Sequence, residues 1–195
     1  MTSVQIPIFP LYTVLFPGNP LPLRIFEARY LDMVSQCLKA DSGFGVCLIR
    51  EGSEVGPAAN TVETGVLASI VDWHQRQDGL LGITVMGEQR FDVLSVKVQK
   101  NQLAIADVVM RKEPEGIALP EKYLVLVDVV KRLIEHAGQY YANLPVHFTD
   151  AGWVANRLSE LLPIELHEKQ QLLEMDDPLQ RLEILFNRLE GMEVV

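Results

Sequence analysis

Five prolines, Pro7, Pro10, Pro17, Pro20 and Pro22, fall between Val4 and Phe26. Proline lacks an amide hydrogen and has a fixed φ, which bars it from helix interiors and from the middle of sheets. The apolar residues among them (Ile6, Ile8, Phe9, Leu11, Val14, Leu15, Phe16, Leu21, Leu23, Ile25 and Phe26) therefore belong to short extended segments that turn at Pro17-Gly18. The same prolines discourage aggregation at an exposed strand edge.

Beyond them the periodicity changes. Glu27 to Ala40 sets Tyr30, Leu31, Val34, Cys37 and Leu38 at helical spacing, with Glu27 in the first turn. Phe44 to Ile49 is a compact apolar run that ends at a loop, Glu51 to Asn60, punctuated by Gly52, Gly56 and Pro57. From Thr61 to Met110, three turn signals (Gln77-Asp78-Gly79, Met86-Gly87 and Lys100-Asn101) separate β-branched stretches at hairpin spacing. With the N-terminal segments this predicts about six strands, enough to curl into a small barrel that hides its edges.

Glu113 to Pro120, with Pro114, Gly116 and Pro120, reads as a linker, and all later periodicity is helical. Tyr123, Leu126, Val127, Val130, Leu133 and Ile134 mark one stripe. Val154, Leu158, Leu161 and Leu162 mark a second that stops at Pro163, and a third helix spans Leu166 to Met175. A fourth begins with Asp177 as N-cap, Pro178 in the first helical position and Gln180 as capping-box partner. The expected fold is α+β: a β domain over residues 1–112 with one inserted helix, and a helical bundle over 120–195.

The formal charge is −9, divided at Leu119 into −3 before it and −6 from it onward. An acidic chain opposes binding to nucleic acid or anionic membrane, because affinity for a phosphate backbone rests on Lys and Arg releasing counterions. Arg24, Arg29 and Arg90 are the only nucleus for an RNA-binding alternative, and Glu27 and Glu88 lie near enough in sequence to pair with them. No stretch approaches a membrane span; Tyr123 to Val127 is broken by Asp128 and Lys131. With Cys37 and Cys47 the only cysteines and no leader at the N-terminus, a reducing cytoplasm is the expected compartment.

Catalytic signatures are missing. None of the seven lysines follows a glycine, which excludes the usual phosphate loop, and no GxGxxG occurs. His167-Glu168 opens a zinc-protease helix motif, but Gln171 stands where the second histidine belongs. His74, His136 and His147 lie on separate elements, so neither metal nor cofactor is expected. There is no GxSxG, and Cys47 lies inside an apolar strand where an inert thiol is the commoner state. A hydrolase or peptidase assembled from dispersed Ser, Cys or His residues is the alternative to a binding protein. Two apolar residues are candidates for a binding surface rather than the core: Phe16, next to the Pro17 turn, and Trp73, near a hairpin tip. Ile6, Phe9, Leu23 and Phe26 are read as core.

The order Ile6-Pro7, Phe9-Pro10-Leu11, Leu15-Phe16-Pro17-Gly18, Leu21-Pro22-Leu23, Ile25-Phe26-Glu27, Arg29-Tyr30 resembles the N-terminal substrate-recognition domain of Lon proteases. The resemblance continues through Gly65 to Ile70 and Gly87 to Phe91. It reaches the helical region at Leu161 to Pro163, Lys169-Gln170, Leu173 to Met175 and Arg181 to Glu183. The N-terminal region of cereblon is similar. What the resemblance implies is a PUA-like six-stranded β pseudo-barrel followed by a helical subdomain. It also implies a non-catalytic module that binds unfolded or tagged polypeptides, an adaptor that could serve a separate protease and self-associate weakly as a homo-oligomer. The sequence ends at Val195, where a full Lon protease continues into its ATPase and Ser–Lys proteolytic domains, so no motor or cleavage residue has a position to map onto.

Overall fold

The proline-punctuated N-terminus forms two strands, β1 (Val4–Leu11) and β2 (Pro20–Ile25), in a computed structural model that describes residues 3–114, 116–138, 141 and 144–191. β1 accommodates Pro7 and Pro10 because it changes partner along its length. Val4 to Ile8 pair antiparallel with β7 (Ala104–Met110), and Ile8 to Leu11 pair parallel with β3 (Phe44–Glu51). Each proline thus sits where β1 has a neighbour on one side only, and the missing amide hydrogen interrupts no ladder.

Two further strands, β4 (Asn60–Thr61) and β5 (Thr64–Gln75), lead into β6 (Leu81–Val98). The pairing order β1-β7-β6-β5-β3 returns to β1 through the parallel β1–β3 pair, so five strands close on themselves. Inside lie Ile6, Ile8, Cys47, Phe91, Ala104, Ala106 and Val108. Gly65 is required there, since a Cβ at that position would lie 2.6 Å from the Phe91 ring.

Among the described residues there are seven strands where about six were expected, and β6 runs unbroken through Met86-Gly87, where the sequence suggested a turn. Gly87 serves a close approach instead. Its carbonyl accepts from Gly18 N at 2.8 Å and its amide donates to Asn19 O at 2.9 Å, and an added Cβ would meet the Phe16 carbonyl oxygen at 2.3 Å. The long strand changes neighbours around this point. Leu81 to Met86 lie between β2 and β5, whereas Phe91 to Val98 pair with β7.

One helix, α1 (Ala28–Ala40), follows β2. It buries Tyr30, Met33, Val34 and Cys37, with the Tyr30 ring stacked on Phe9 at 4.2 Å, and stops at Asp41, whose left-handed backbone donates to Cys37 O. All of these elements belong to the first of two compact units, Met1–Lys112.

The second unit, Glu113–Val195, is helical: a 3₁₀ turn (Glu121–Tyr123), α2 (Leu124–Ala137), α3 (Ala151–Leu161), α4 (Leu166–Glu174) and α5 (Pro178–Gly191). α3 packs against α2, α4 and α5 and buries Ala151, Val154, Ala155 and Leu158 completely. Its N-cap is Asp150, which accepts from Trp153 N at 2.7 Å. Asp177 caps α5 through Leu179 N at 2.8 Å, but the reciprocal capping box of this unit is at Glu165 and Glu168, opening α4. Part of the segment read as linker is tied into this unit, as Leu119 N donates to Thr149 O and Ala151 N to Ile117 O, both at 2.8 Å. Among the described residues, no helix is long and apolar enough to cross a membrane.

Candidate functional site

Of the two residues singled out for a binding surface, Phe16 is fully buried (0% exposed) and cannot line a groove. The turn after it is an interior feature: Asn19 N returns to Phe16 O, and Gly18 and Asn19 bond to Gly87 of β6, which draws the preceding side chain inward. Trp73 is 63% exposed on β5, with Val71 beside it at 55%.

Sequence reasoning missed Phe26. Read as core, it is 52% exposed just after β2, next to Glu27, the N-cap of α1. Alternation explains this: Ile25 is buried at 1%, so the next side chain in an extended chain points the other way. The signal was present in the sequence as an Ile-Phe pair closing a strand.

Phe26 borders a groove of about 240 Å³, whose apolar lining includes Phe9, Leu11, Leu23, Phe26, Tyr30 and Val55. Elements distant in sequence converge here: β1 gives Phe9 and Leu11, β2 Leu23, α1 Tyr30, and the loop after β3 Val55, itself exposed. Tyr12 anchors that loop, since its amide donates to Glu54 Oε1 at 2.7 Å and its hydroxyl to Gly52 O at 2.5 Å. The polar groups at the groove are engaged or neutral. Burial pushes the Tyr30 phenol up to about 12, so it stays protonated. Arg29 is 3.1 Å from Glu27, donates to Gln102 O at 2.9 Å and lies over the Tyr30 ring. A second concavity of about 550 Å³ lies between the β4 region and the β6–β7 hairpin, bordered by the exposed Leu94, Val96 and Val98.

The groups that could carry chemistry are placed elsewhere. Burial raises the Cys47 thiol to about 12 and the Cys37 thiol above its ordinary value, so neither yields a thiolate near neutrality; both are free cysteines. Ser69 Oγ donates to Glu88 Oε1 at 2.5 Å. His167 is exposed on α4, and among the described residues no three His, Cys, Asp or Glu side chains are grouped to hold a metal ion. Of the three arginines considered for RNA, Arg29 and Arg90 are buried and Arg24 is 3.5 Å from Asp78. What this surface can do chemically is hold an apolar side chain against aliphatic and aromatic walls.

Residues 5–191 match the family model of the ATP-dependent protease La (LON) substrate-binding domain. The chain belongs to the Lon substrate-binding domain family. A crystal structure of a Lon N-terminal domain protein from Xanthomonas campestris is similar, with a TM-score of 0.79 and 34% identity over 94% of this chain and 98% of that one. The N-terminal domain of a Mycobacterium avium complex Lon protease shares the fold at a TM-score of 0.64 and 19% identity, covering 94% and 97% of the two chains. Lon protease 1 of Hydrogenovibrio crunogenus is 25% identical over 91% of this chain but only 22% of its own length, and the Lon protease of Anaeromyxobacter dehalogenans is 26% identical over 94% and 23%. The chain thus spans about a quarter of the length of these curated relatives. The Lon family model covers both the β and the helical unit.

Proposed function

We propose that this Lon-type domain recognises unfolded or damaged polypeptides through exposed apolar segments, acting as an adaptor for a protease in the cytoplasm. The observation that carries the reading is the groove beneath Phe26, where large apolar side chains stand exposed at the rim of an apolar cleft. Soluble domains seldom leave such a cluster uncovered without a partner for it. Family membership supplies the class of ligand, a polypeptide substrate. The five-strand closure with α1 inserted after β2 supports a barrel of the PUA-like type as the scaffold. On that scaffold the borrowed RNA-binding role is disfavoured, because Arg29 and Arg90 are buried.

Titrating a fluorescent, chemically unfolded casein-like protein into the full chain tests the reading. Phe26→Ser and Val55→Ser each remove a half-exposed apolar rim and are expected to weaken binding about tenfold, while Tm moves by only a few degrees because exposed side chains contribute little to folding. Undiminished binding by the Phe26→Ser, Val55→Ser double variant would falsify the groove as the recognition surface.

A further inference from the structure

β5 has one partner over its second half. Phe44 to Val46 of β3 cover Val66 to Ala68, and beyond Ala68 the strand pairs only with β6, as far as Gln75 opposite Leu81. Among the described residues no strand covers the other edge of Ser69 to Gln75, and from Val71 onward every residue to Gly79 is exposed.

Which backbone groups face that edge follows from the hairpin. Arg76 N donates to Leu80 O at 2.8 Å, so Arg76 and Leu80 are a hydrogen-bonded pair. In an antiparallel ladder such pairs alternate, so His74 and Asp72 bond inward to β6 while the amides and carbonyls of Trp73 and Gln75 face outward. The opposite side of this three-stranded arm is β2, which among the described residues pairs only with β6 and carries Pro20 and Pro22. Those prolines have no amide hydrogens to offer a further strand, so the β2 edge is blunted. The β5 edge has no proline and is rich in strand-forming residues: Ile70, Val71 and Trp73.

We infer that the β5 edge from Ser69 to Gln75 binds an extended, proline-free, uncharged or basic polypeptide segment by adding it as a strand. Backbone hydrogen bonding to Trp73 and Gln75 supplies affinity without regard to sequence, and the exposed Val71 and Trp73 side chains grip apolar residues of the guest. Charge selects the occupant. The charges at the edge are Asp72, exposed beside Trp73, and Glu88, which accepts from Ser69, while Arg76 at its far end is held by Asp78, so lysine-bearing segments are favoured. A second copy would bring a second Asp72 to the same edge, which like-charge repulsion opposes. The inference rests on the polypeptide-binding reading above and specifies a second mode of engagement, through backbone rather than through a groove.

The test uses the full chain and a short fluorescent peptide of alternating valine and threonine with lysine at each end, alongside the same peptide interrupted by proline. The expected result is binding of the first peptide with slowed hydrogen exchange at the outward Trp73 and Gln75 amides, and little binding of the second. Trp73→Ala removes the indole and is expected to weaken binding moderately. Trp73→Pro removes the indole and the outward amide, and is expected to bind about tenfold more weakly than Trp73→Ala. Exchange in the unmodified protein decides the matter even if Trp73→Pro folds poorly. Equal binding by Trp73→Pro and Trp73→Ala, with no protection at Trp73 or Gln75, overturns strand addition; if the groove variants still lose casein binding, the proposed function survives without it. Protection of these amides that grows with protein concentration in the absence of peptide assigns the edge to a second copy and equally overturns the inference. Failure of the unmodified chain to bind either casein or peptide overturns both.

Discussion

Phe16 and Phe26 show how much a single residue's role depends on the register of the chain around it. Both are phenylalanines in proline-flanked apolar runs, yet one is fully buried and the other is half exposed. Phe16 is fixed by the contacts its own backbone makes: its carbonyl receives Asn19 N and lies where any side chain on Gly87 would collide. Phe16→Ala should therefore cost about 3 to 5 kcal/mol, the usual range for truncating a buried large aromatic, whereas Phe26→Ala should cost well under 1 kcal/mol, as for exposed sites. Urea unfolding of the two variants checks this, and equal losses would show that burial at these two positions is not as described. The neighbouring glycine offers a related check. Gly87→Ala places a Cβ against a backbone oxygen that cannot swing aside, so it should destabilise the fold although alanine is ordinarily compatible with a strand.

At the scale of elements, the helices were legible and the strand pairing was only partly so. A 3.6-residue stripe reports burial on one face directly, which is why Leu126, Val130, Val154 and Leu158 could be assigned from spacing and are buried. Met86-Gly87 misled because glycine marks both turns and close backbone approaches, and only the tertiary contact with Phe16 and Asn19 tells them apart. The β1–β3 parallel pair and the free edge of β5 are long-range facts with no local signature. The same holds for a buried polar cluster on α3 that no motif announces. Burial raises the Glu160 carboxyl to about 7, against the opposing pull of Tyr141, Arg157 and Lys169, which face it. Arg157, itself buried, lies 3.4 Å from Glu160 and over the rings of Tyr141 and Trp153. Since the folded-state value lies above the unfolded one near 4.5, the folded chain holds an extra proton between these limits. This group's contribution to stability is therefore full below about 4.5, falls as pH rises toward 7, and is lost above it. Glu160→Gln, which cannot ionise, should lose that pH dependence. The difference in unfolding free energy between the parent and this variant should change by on the order of 1 to 3 kcal/mol between pH 4.5 and 7.5, in the direction that weakens the parent at the higher pH. Parallel profiles for the two proteins would show that Glu160 ionises normally.

On the scale of the whole molecule, the composition change after Lys112 coincides with a change in what holds the chain together. Before it, stability comes from a ring of strands around Phe91, and after it from helices around Leu158. Each unit has its own core of fully buried apolar residues, the condition for a segment to fold by itself. We therefore expect residues 1–112 to fold when produced alone, and limited proteolysis of the full chain to cut first near 113–116. The site is narrower than the proline-rich stretch from Glu113 to Pro120, because Ile117 and Leu119 hydrogen-bond to Ala151 and Thr149 and are held by the helical unit. The isolated β unit contains the Phe26 groove and the β5 edge, so it should bind the unfolded protein and the valine-threonine peptide as tightly as the full chain does. A domain of this size should also melt cooperatively, with an enthalpy on the order of 70 kcal/mol. First cuts within residues 62–110 would contradict this division. So would a 1–112 fragment with strand-like circular dichroism but no cooperative melt, because the β unit would then depend on the helical one for its fixed packing.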